Sequence, residues 1–225
     1  MSDVTKQPEM QIINKYLGFE QLNFLQENNI DCVLAKEIYD IDNNFLLNSN
    51  KEDLWSVRVA TLIGQDFDLP SKIGVDKHQA LKWMKEQRNK EERYVFMCSK
   101  YFNAYKSGRI HIEKNKITIE MSVGGFDDFK HSIPNLVMVS LFNMSFNKVM
   151  DDHMISESYV WKLIDLSQRL QRIYSDVVDN SYNVVYEFDF AFGCFMNKIG
   201  ISSADFLKIV SMRSYNLNQK HEIIK

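Results

Sequence analysis

The stretch VVYEFDFAF, Val184 to Phe192, says more about the fold than any other part of the sequence. In an extended strand, successive side chains point to opposite faces of a sheet. The four aromatic residues of this stretch then share one face, which predicts that the strand packs this face on a hydrophobic core. Glu187 and Asp189 share the opposite face. Two adjacent carboxylates on so apolar a strand require positive charge nearby, from a metal ion or from basic side chains.

The composition predicts a soluble cytoplasmic protein with a sizeable core. The 225 residues are 45% hydrophobic and 12% aromatic, which suits one large domain or two small ones. The net charge of −3 gives no reason to expect nucleic acid as a partner. No apolar run approaches the roughly 20 residues that span a bilayer, and the N-terminus lacks a signal-peptide pattern. The three cysteines are far apart, which indicates free thiols.

Hydrophobic patterns indicate an α+β fold with mixed, mostly antiparallel sheets and packed helices. Isoleucines alternate on both sides of a polar turn in GRIHIEKNKITIEMSV, residues 108–123, which predicts a hairpin. Apolar residues at three- and four-residue steps predict a long helix from about Ser156 to Val178. Asp76 is expected to cap the start of a shorter helix.

The segment ADFLKIVSMRSY, residues 204–215, is compatible with two structures. As a strand antiparallel to residues 184–192, it would place Ser211 and Arg213 on the face that holds the two carboxylates. The apolar residues also suit a helix, and Ser202 three residues before Asp205 is a capping-box pattern. The sequence alone leaves both alternatives open.

We divide the chain into three parts on these patterns. They are a flexible leader (1–10), an N-terminal α/β lobe (11–105) and a C-terminal lobe (106–225), and the two lobes are expected to form one compact unit.

Basic residues that could face the carboxylates occur in two other segments. Arg58 lies within WSVRVAT, where a guanidinium needs an anionic partner, either a phosphate or a structural acid. Lys106 and Arg109 flank Ser107-Gly108, a small pair that would let backbone approach a ligand. An ordinary turn with solvated basic residues is the alternative for this second segment.

Common motifs do not assign the protein. The sequence has no Walker A loop, no GxGxxG, no HExxH and no GxSxG. Its five histidines show no tight metal-ligand spacing. Assignment therefore depends on the order of weaker features along the chain.

Taken in order, these segments resemble the nucleotide-binding domain of pyruvate phosphate dikinase and phosphoenolpyruvate synthase, an ATP-grasp fold. SVRVAT around Arg58 is similar to the family's V-R-S-S-A, and AYKSGRIHI is similar to its S-G before a hairpin. ITIEMSVGGF, which contains Glu120, is similar to its I-E-A and glycine turn. YEFDFAF and LKIVSMRSY follow the long helix, where the family has D-I-E-W-A and L-Q-x-R-P. The resemblance covers residues 55–215.

The resemblance implies ATP and Mg²⁺ as cofactors. Arg58 would contact the ATP phosphates, Glu120 would lie near the nucleoside, and Lys106 would add positive charge to the cofactor site. Asp189 would take the place of the family's metal-binding glutamate, with Glu187 beside it. Arg58 and Arg213 would be the catalytic residues. Arg213 would stabilise charge on the transferred phosphoryl group.

The sequence also departs from the family. The family's Gly-Gly-Lys-Gly, which supplies a phosphate-binding lysine, is missing. Ser211 replaces its metal-binding glutamine, and Ser214 replaces its final proline. The segment between Arg58 and Ser107 is shorter than in the dikinases. Because the phosphohistidine and phosphoenolpyruvate domains are missing too, the chain by itself is not expected to perform the complete dikinase reaction.

Three functions are compatible with these observations. The first is an ATP- and Mg²⁺-dependent ligase or phosphotransferase that acts on a small-molecule acceptor, with no nucleic-acid or membrane partner. The second is a degenerate grasp-like module that binds a ligand or partner without turnover. The third is an unrelated α+β interaction protein whose carboxylates are surface groups.

Overall fold

The structure is a computed structural model, and it describes most of the chain. The described residues are 15–38, 44–61, 69–87, 94–125, 129, 132–141, 145–151, 153–179, 184–201 and 206–216. The predicted leader and the predicted capping box at Ser202 lie outside the described residues.

Four helices are interspersed among groups of consecutive strands in the described residues. The helices within the described residues are α1 (Lys15–Glu27), α2 (Asn44–Leu47), α3 (Lys77–Gln87) and α4 (Glu157–Asp179). The strands within them are β1 (Lys36–Ile38), β2 (Trp55–Thr61), β3 (Ser71–Val75), β4 (Tyr94–Lys100), β5 (Phe102–Glu113), β6 (Lys116–Val123), β7 (Leu136–Leu141), β8 (Asn147–Asp151), β9 (Val184–Asn197), β10 (Gly200–Ile201) and β11 (Phe206–Asn216). None of these helices is long and apolar enough to cross a membrane. The predicted hairpin and long helix are confirmed as β5–β6 and α4.

The smaller sheet has the strand order β1-β4-β2-β3, with antiparallel neighbours. Helix α3 covers one face, where Ala80 and Met84 pack with Val57 and Val59 in one buried cluster. Successive side chains of a strand alternate between faces. Arg58, which lies between the two valines, therefore points away from α3.

The larger sheet has the order β10-β9-β5-β6-β7-β8, and β11 also pairs with β9. Helices α1 and α4 pack on one face. The core there includes the predicted aromatic face of β9, with Phe188, Phe190 and Phe192 at most 1% exposed. Leu22 of α1 and Leu163 of α4 belong to the same cluster. Burial of such phenylalanines contributes about 1.5–3 kcal/mol each, so this face fixes β9 in the sheet.

The structure decides between the two alternatives for residues 204–215 in favour of a strand. In the register of β11 against β9, Ser211 lies opposite Asp189 and Arg213 lies opposite Glu187. A register shift between Ile209 and Ser211 inserts one extra residue in β11. Ile209 and Met212 consequently both face the core although they are three residues apart. This bulge explains why the apolar spacing looked helical.

The chain passes from the smaller sheet to the larger sheet between Lys100 and Phe102. The backbone N–H of Tyr101 donates to the carbonyl of Leu54 at 2.8 Å, and Asp53 forms a bridge with Asn197 of β9. These contacts hold the end of the smaller sheet against the larger one. The predicted lobe boundary between residues 105 and 106 stays a prediction.

Asp76 caps α3, as the sequence predicts. Its Oδ1 accepts hydrogen bonds from the backbone N–H groups of His78 and Gln79, both at 2.9 Å. The Gln79 side chain in turn accepts from the Asp76 N–H at 3.2 Å. The backbone hydrogen bond from Gln79 is the main cause of a lowered pKa at Asp76.

We expect Asp76→Ala to lower the free energy of unfolding by about 1 kcal/mol, because two helix N–H groups lose their acceptor. Asp76→Asn is the matched control and should retain most of the stability. Since the folded-state pKa of Asp76 is lowered, its charged form stabilises the protein above the unfolded pKa, and this contribution is lost as the pH falls through the folded value. Urea unfolding at neutral and acidic pH measures both effects, and equal losses for alanine and asparagine would contradict the cap.

Candidate functional site

The face of the larger sheet opposite α1 and α4 carries a cluster of charged side chains. The middle strand, β9, contributes Glu187 and Asp189. On one side, β5 places Arg109 opposite Asp189. On the other side, β11 places Ser211 opposite Asp189 and Arg213 opposite Glu187. These five residues are called the charged cluster below.

Every carboxylate oxygen of the charged cluster has a polar neighbour. For Asp189, Arg109 Nε donates to Oδ1 at 2.8 Å and Ser211 Oγ donates to Oδ2 at 2.6 Å. For Glu187, Oε1 accepts from Nε and Nη2 of Arg213 and forms an ion pair with Arg109, whose Nε lies 3.0 Å away. Glu187 Oε2 lies 3.5 Å from Nδ1 of His111. The positive charge that the two acids require is therefore supplied by arginines of the neighbouring strands.

The members of the cluster differ in exposure. The Glu187 side chain is 5% exposed, whereas those of Asp189 and Arg109 are 20% and 23% exposed and that of Arg213 is 50% exposed. The ring of Phe129 lies 5.6 Å from the guanidinium carbon of Arg109. Burial alone would lower the pKa of Arg109, but the charges of Asp189 and Glu187 outweigh it and raise that pKa. Arg109 is the central cation of the cluster.

Arg58 reaches this face from the smaller sheet. Its side chain is exposed to solvent, yet protein atoms crowd it enough that desolvation lowers its pKa, which the charge of Asp189 opposes. Among the described residues, no carboxylate lies within ion-pair distance of Arg58.

The structure brings together most of the residues predicted from the sequence. Glu187, Asp189 and Arg213 belong to the charged cluster, and the charge of Asp189 acts on Arg58. Glu120 of β6 lies opposite Arg109, and its charge contributes to the raised pKa of that arginine.

Lys106 is the exception among the predicted residues. Its ammonium group lies 4.7 Å from the ring centroid of Tyr159 in α4. That contact places it on the core side of the sheet, away from Asp189. Gly108 also faces the core, where Phe190 packs against it, so the glycine makes room for an aromatic ring and not for a ligand.

Sequence reasoning undervalued Arg109, the residue that contacts both carboxylates. The pattern of the hairpin contained a usable signal. Ile110 and Ile112 point to the core. Arg109, which precedes Ile110, and His111, which lies between the two isoleucines, must therefore point to the polar face. The same alternation predicts that Lys106, an even number of residues before Ile110, points to the core.

The described residues do not fit a magnesium ion. Mg²⁺ needs oxygen ligands in an octahedral arrangement and binds through free carboxylate oxygens. Both carboxylates of the cluster already accept from arginines or a hydroxyl group. Within the described residues, no group of three or more His, Cys, Asp or Glu side chains could hold a metal ion. The assignment of Asp189 and Glu187 as metal ligands stays a prediction, and we derive no chemical step through a metal.

Comparison with solved structures assigns the fold. The chain is similar to PurK, an N5-carboxyaminoimidazole ribonucleotide synthetase solved as its ADP complex, with a TM-score of 0.50 and 11% identity. The aligned region covers 92% of this chain and 46% of that one. The fold is that of the ATP-grasp proteins. The predicted α+β, ATP-grasp-like fold class is confirmed, whereas the narrower resemblance to the dikinase family stays a prediction.

Other ATP-grasp structures are similar at lower scores. D-alanyl-alanine synthetase A from Vibrio cholerae matches at 9% identity and a TM-score of 0.47, over 89% of this chain and 55% of that one. Carboxyaminoimidazole ribonucleotide synthase from Aspergillus clavatus, complexed with ATP, matches at 13% identity and 0.47, over 90% and 44%. The chain thus spans about half the length of these structures. No protein-family model matches the sequence, and no curated protein matches it.

Proposed function

We propose that this chain binds ATP between its two sheets and acts as an ATP-dependent ligase or phosphotransferase on a small-molecule acceptor. The observation that carries the proposal is the position of Arg58. The charge of Asp189 in the larger sheet acts on Arg58 of the smaller sheet, so cations of both sheets lie near the carboxylates of an ATP-grasp fold. The PurK structure, which has the same fold, holds ADP.

Each arginine has a distinct role in this proposal. A planar guanidinium suits a phosphate group, and Arg58 has no carboxylate competing for it among the described residues. Arg213 is half-exposed and donates through Nε and Nη2 to one oxygen of Glu187. Its remaining N–H groups can face negative charge that develops on a transferred phosphoryl group. Glu120 is the candidate for a contact with the nucleoside.

A second candidate function is a module that binds a nucleotide or another ligand without turnover. The specific observation in its favour is that both carboxylates already accept hydrogen bonds from Arg109, Arg213 and Ser211. Paired carboxylates are poor bases and poor metal ligands. The two candidates agree on ligand binding and differ in whether the bound nucleotide reacts.

We expect Arg58→Met to weaken ATP binding about tenfold or more, because a charge-assisted contact to phosphate contributes about 1.5–3 kcal/mol. Calorimetric titration and thermal-shift assays with ATP and Mg²⁺ measure the change. Lys162→Met removes an exposed cation from α4, on the opposite side of the larger sheet, and is the matched control. Failure of the wild-type protein to bind ATP at millimolar concentration would contradict the proposal.

Arg213→Met separates the two candidate functions. For an enzyme, we expect kcat to fall about a hundredfold, a larger change than the loss of ATP binding, because the interaction acts mainly on charge formed during the reaction. Formation of ADP from ATP in the presence of mixed carboxylic acids and amines is the readout, and Arg213→Lys is the variant that keeps the charge. A wild-type protein that binds ATP but forms no ADP with any acceptor would favour the binding module.

A further inference from the structure

We propose that nucleotide binding at the charged cluster does not require a divalent cation, because Arg109 and Arg213 already supply the positive charge at Glu187 and Asp189. The inference rests on the proposed binding of ATP and adds how its phosphates are held. It follows from the finding that the residues of the charged cluster do not fit the magnesium ion that the fold implies.

A metal ion would have to displace existing contacts. Each of the four carboxylate oxygens has a polar neighbour at 3.5 Å or less. Ser211 Oγ, for example, lies 2.6 Å from Asp189 Oδ2. Mg²⁺ sheds its own water reluctantly. Displacing Arg109 from the carboxylates would also leave a largely buried guanidinium without its partners, which is strongly unfavourable.

The charges within the charged cluster are balanced without a metal. The two arginines Arg109 and Arg213 are offset by the two carboxylates Glu187 and Asp189. The formal charges of the cluster therefore sum to zero. A cluster with no excess negative charge has little electrostatic attraction for a free divalent cation.

The most exposed side chains on this face are cationic. Arg213 is 50% exposed and Arg58 is exposed, whereas Asp189 is 20% exposed and Glu187, beneath Arg213, is 5% exposed. A ligand that approaches this face therefore finds more guanidinium surface than carboxylate surface. Guanidinium forks bind phosphate oxygens directly and in pairs, without a bridging metal. A triphosphate is the ligand class that these exposed forks would recognise.

Calorimetric titration of the wild-type chain with ATP, once in excess EDTA and once in millimolar MgCl₂, tests the inference. We expect dissociation constants within about tenfold of each other, and sodium triphosphate in EDTA should also bind. Binding that is more than about tenfold tighter with Mg²⁺ would overturn this inference and leave the proposed function standing. Absence of ATP binding under both conditions would overturn both.

Two further measurements test directly whether a metal ion binds at the charged cluster and whether Arg213 takes its place. Mn²⁺ alone, followed by electron paramagnetic resonance, should show no site of submillimolar affinity in the wild-type chain. A Mn²⁺ site that Asp189→Asn abolishes would contradict the inference. In Arg213→Met, ATP binding in EDTA should fall about tenfold and should recover partly with Mg²⁺, because one cation on Glu187 is gone. If Arg213→Met lost ATP affinity equally in EDTA and in Mg²⁺, arginine would not be taking the place of a metal ion. The control variant Lys162→Met should bind ATP as the wild type does.

Discussion

Replacing Arg109 by methionine is expected to lower the free energy of unfolding by about 3 kcal/mol, because removing one partner of a buried ion pair leaves uncompensated charge. Arg109 is the cation that contacts both Glu187 and Asp189, at 3.0 and 2.8 Å. Arg213 still compensates Glu187 in the variant, which keeps the loss near the lower end for such changes. Methionine preserves much of the volume, so packing is not the main cause. Urea unfolding at pH 7 measures the effect.

A double-mutant cycle shows whether charge causes this loss. Adding Asp189→Asn to Arg109→Met should restore part of the stability, and the cycle gives the coupling between the two residues. The raised pKa of Arg109 means that its own contribution is present below the arginine range and is lost only as the pH rises through the folded value. A loss that is independent of Asp189 would point to packing instead.

Much of the fold could be predicted because it depends on local alternation. The aromatic face of residues 184–192 and the hairpin of β5 and β6 follow from period-two patterns, and α4 follows from its apolar stripe. Two parts of the site depend on contacts that are distant in sequence. The role of Arg109 depends on the pairing of β5 with β9, since Arg109 and Asp189 are 80 residues apart. The strand β11 was ambiguous because its bulge places Ile209 and Met212 at a helical spacing.

The predicted metal site shows that the resemblance missed contacts that only the structure reveals. The strand alternative for residues 204–215 placed Arg213 on the face of Asp189, which the structure confirms, and the resemblance identified Ser211 as a departure from the dikinase family. It did not show that Arg109 and Arg213 would occupy the carboxylate oxygens, because a strand's lateral neighbours are not visible in its own sequence. The ion pairs therefore could be inferred only once the strand order β11-β9-β5 was known.

Because β5, β6 and β9 pack closely at Gly108, we also expect a large loss of stability when this glycine is replaced by alanine. A Cβ at this position would overlap the backbone carbonyl oxygen of Glu120 and would lie 2.6 Å from Cζ of Phe190 and 2.8 Å from Cα of Met121. Two of these three atoms belong to the backbone of β6, so the strands themselves must separate. Overpacking of a core costs about 1–3 kcal/mol and sometimes more, and we expect Gly108→Ala to cost about 3 kcal/mol.

A loss of that size should lower the melting temperature by roughly 6–12 °C for a chain of this length. Gly125→Ala is the matched control, because among the described residues its Cβ would meet only the carbonyl oxygen of Ala104, at an ordinary 3.5 Å. Any shift of β5 also moves Arg109, the neighbouring residue, relative to Asp189. Gly108→Ala should therefore weaken ATP binding together with stability, even at temperatures where the variant stays folded. A variant that melts within about 2 °C of the wild type would contradict the close contact of these three strands.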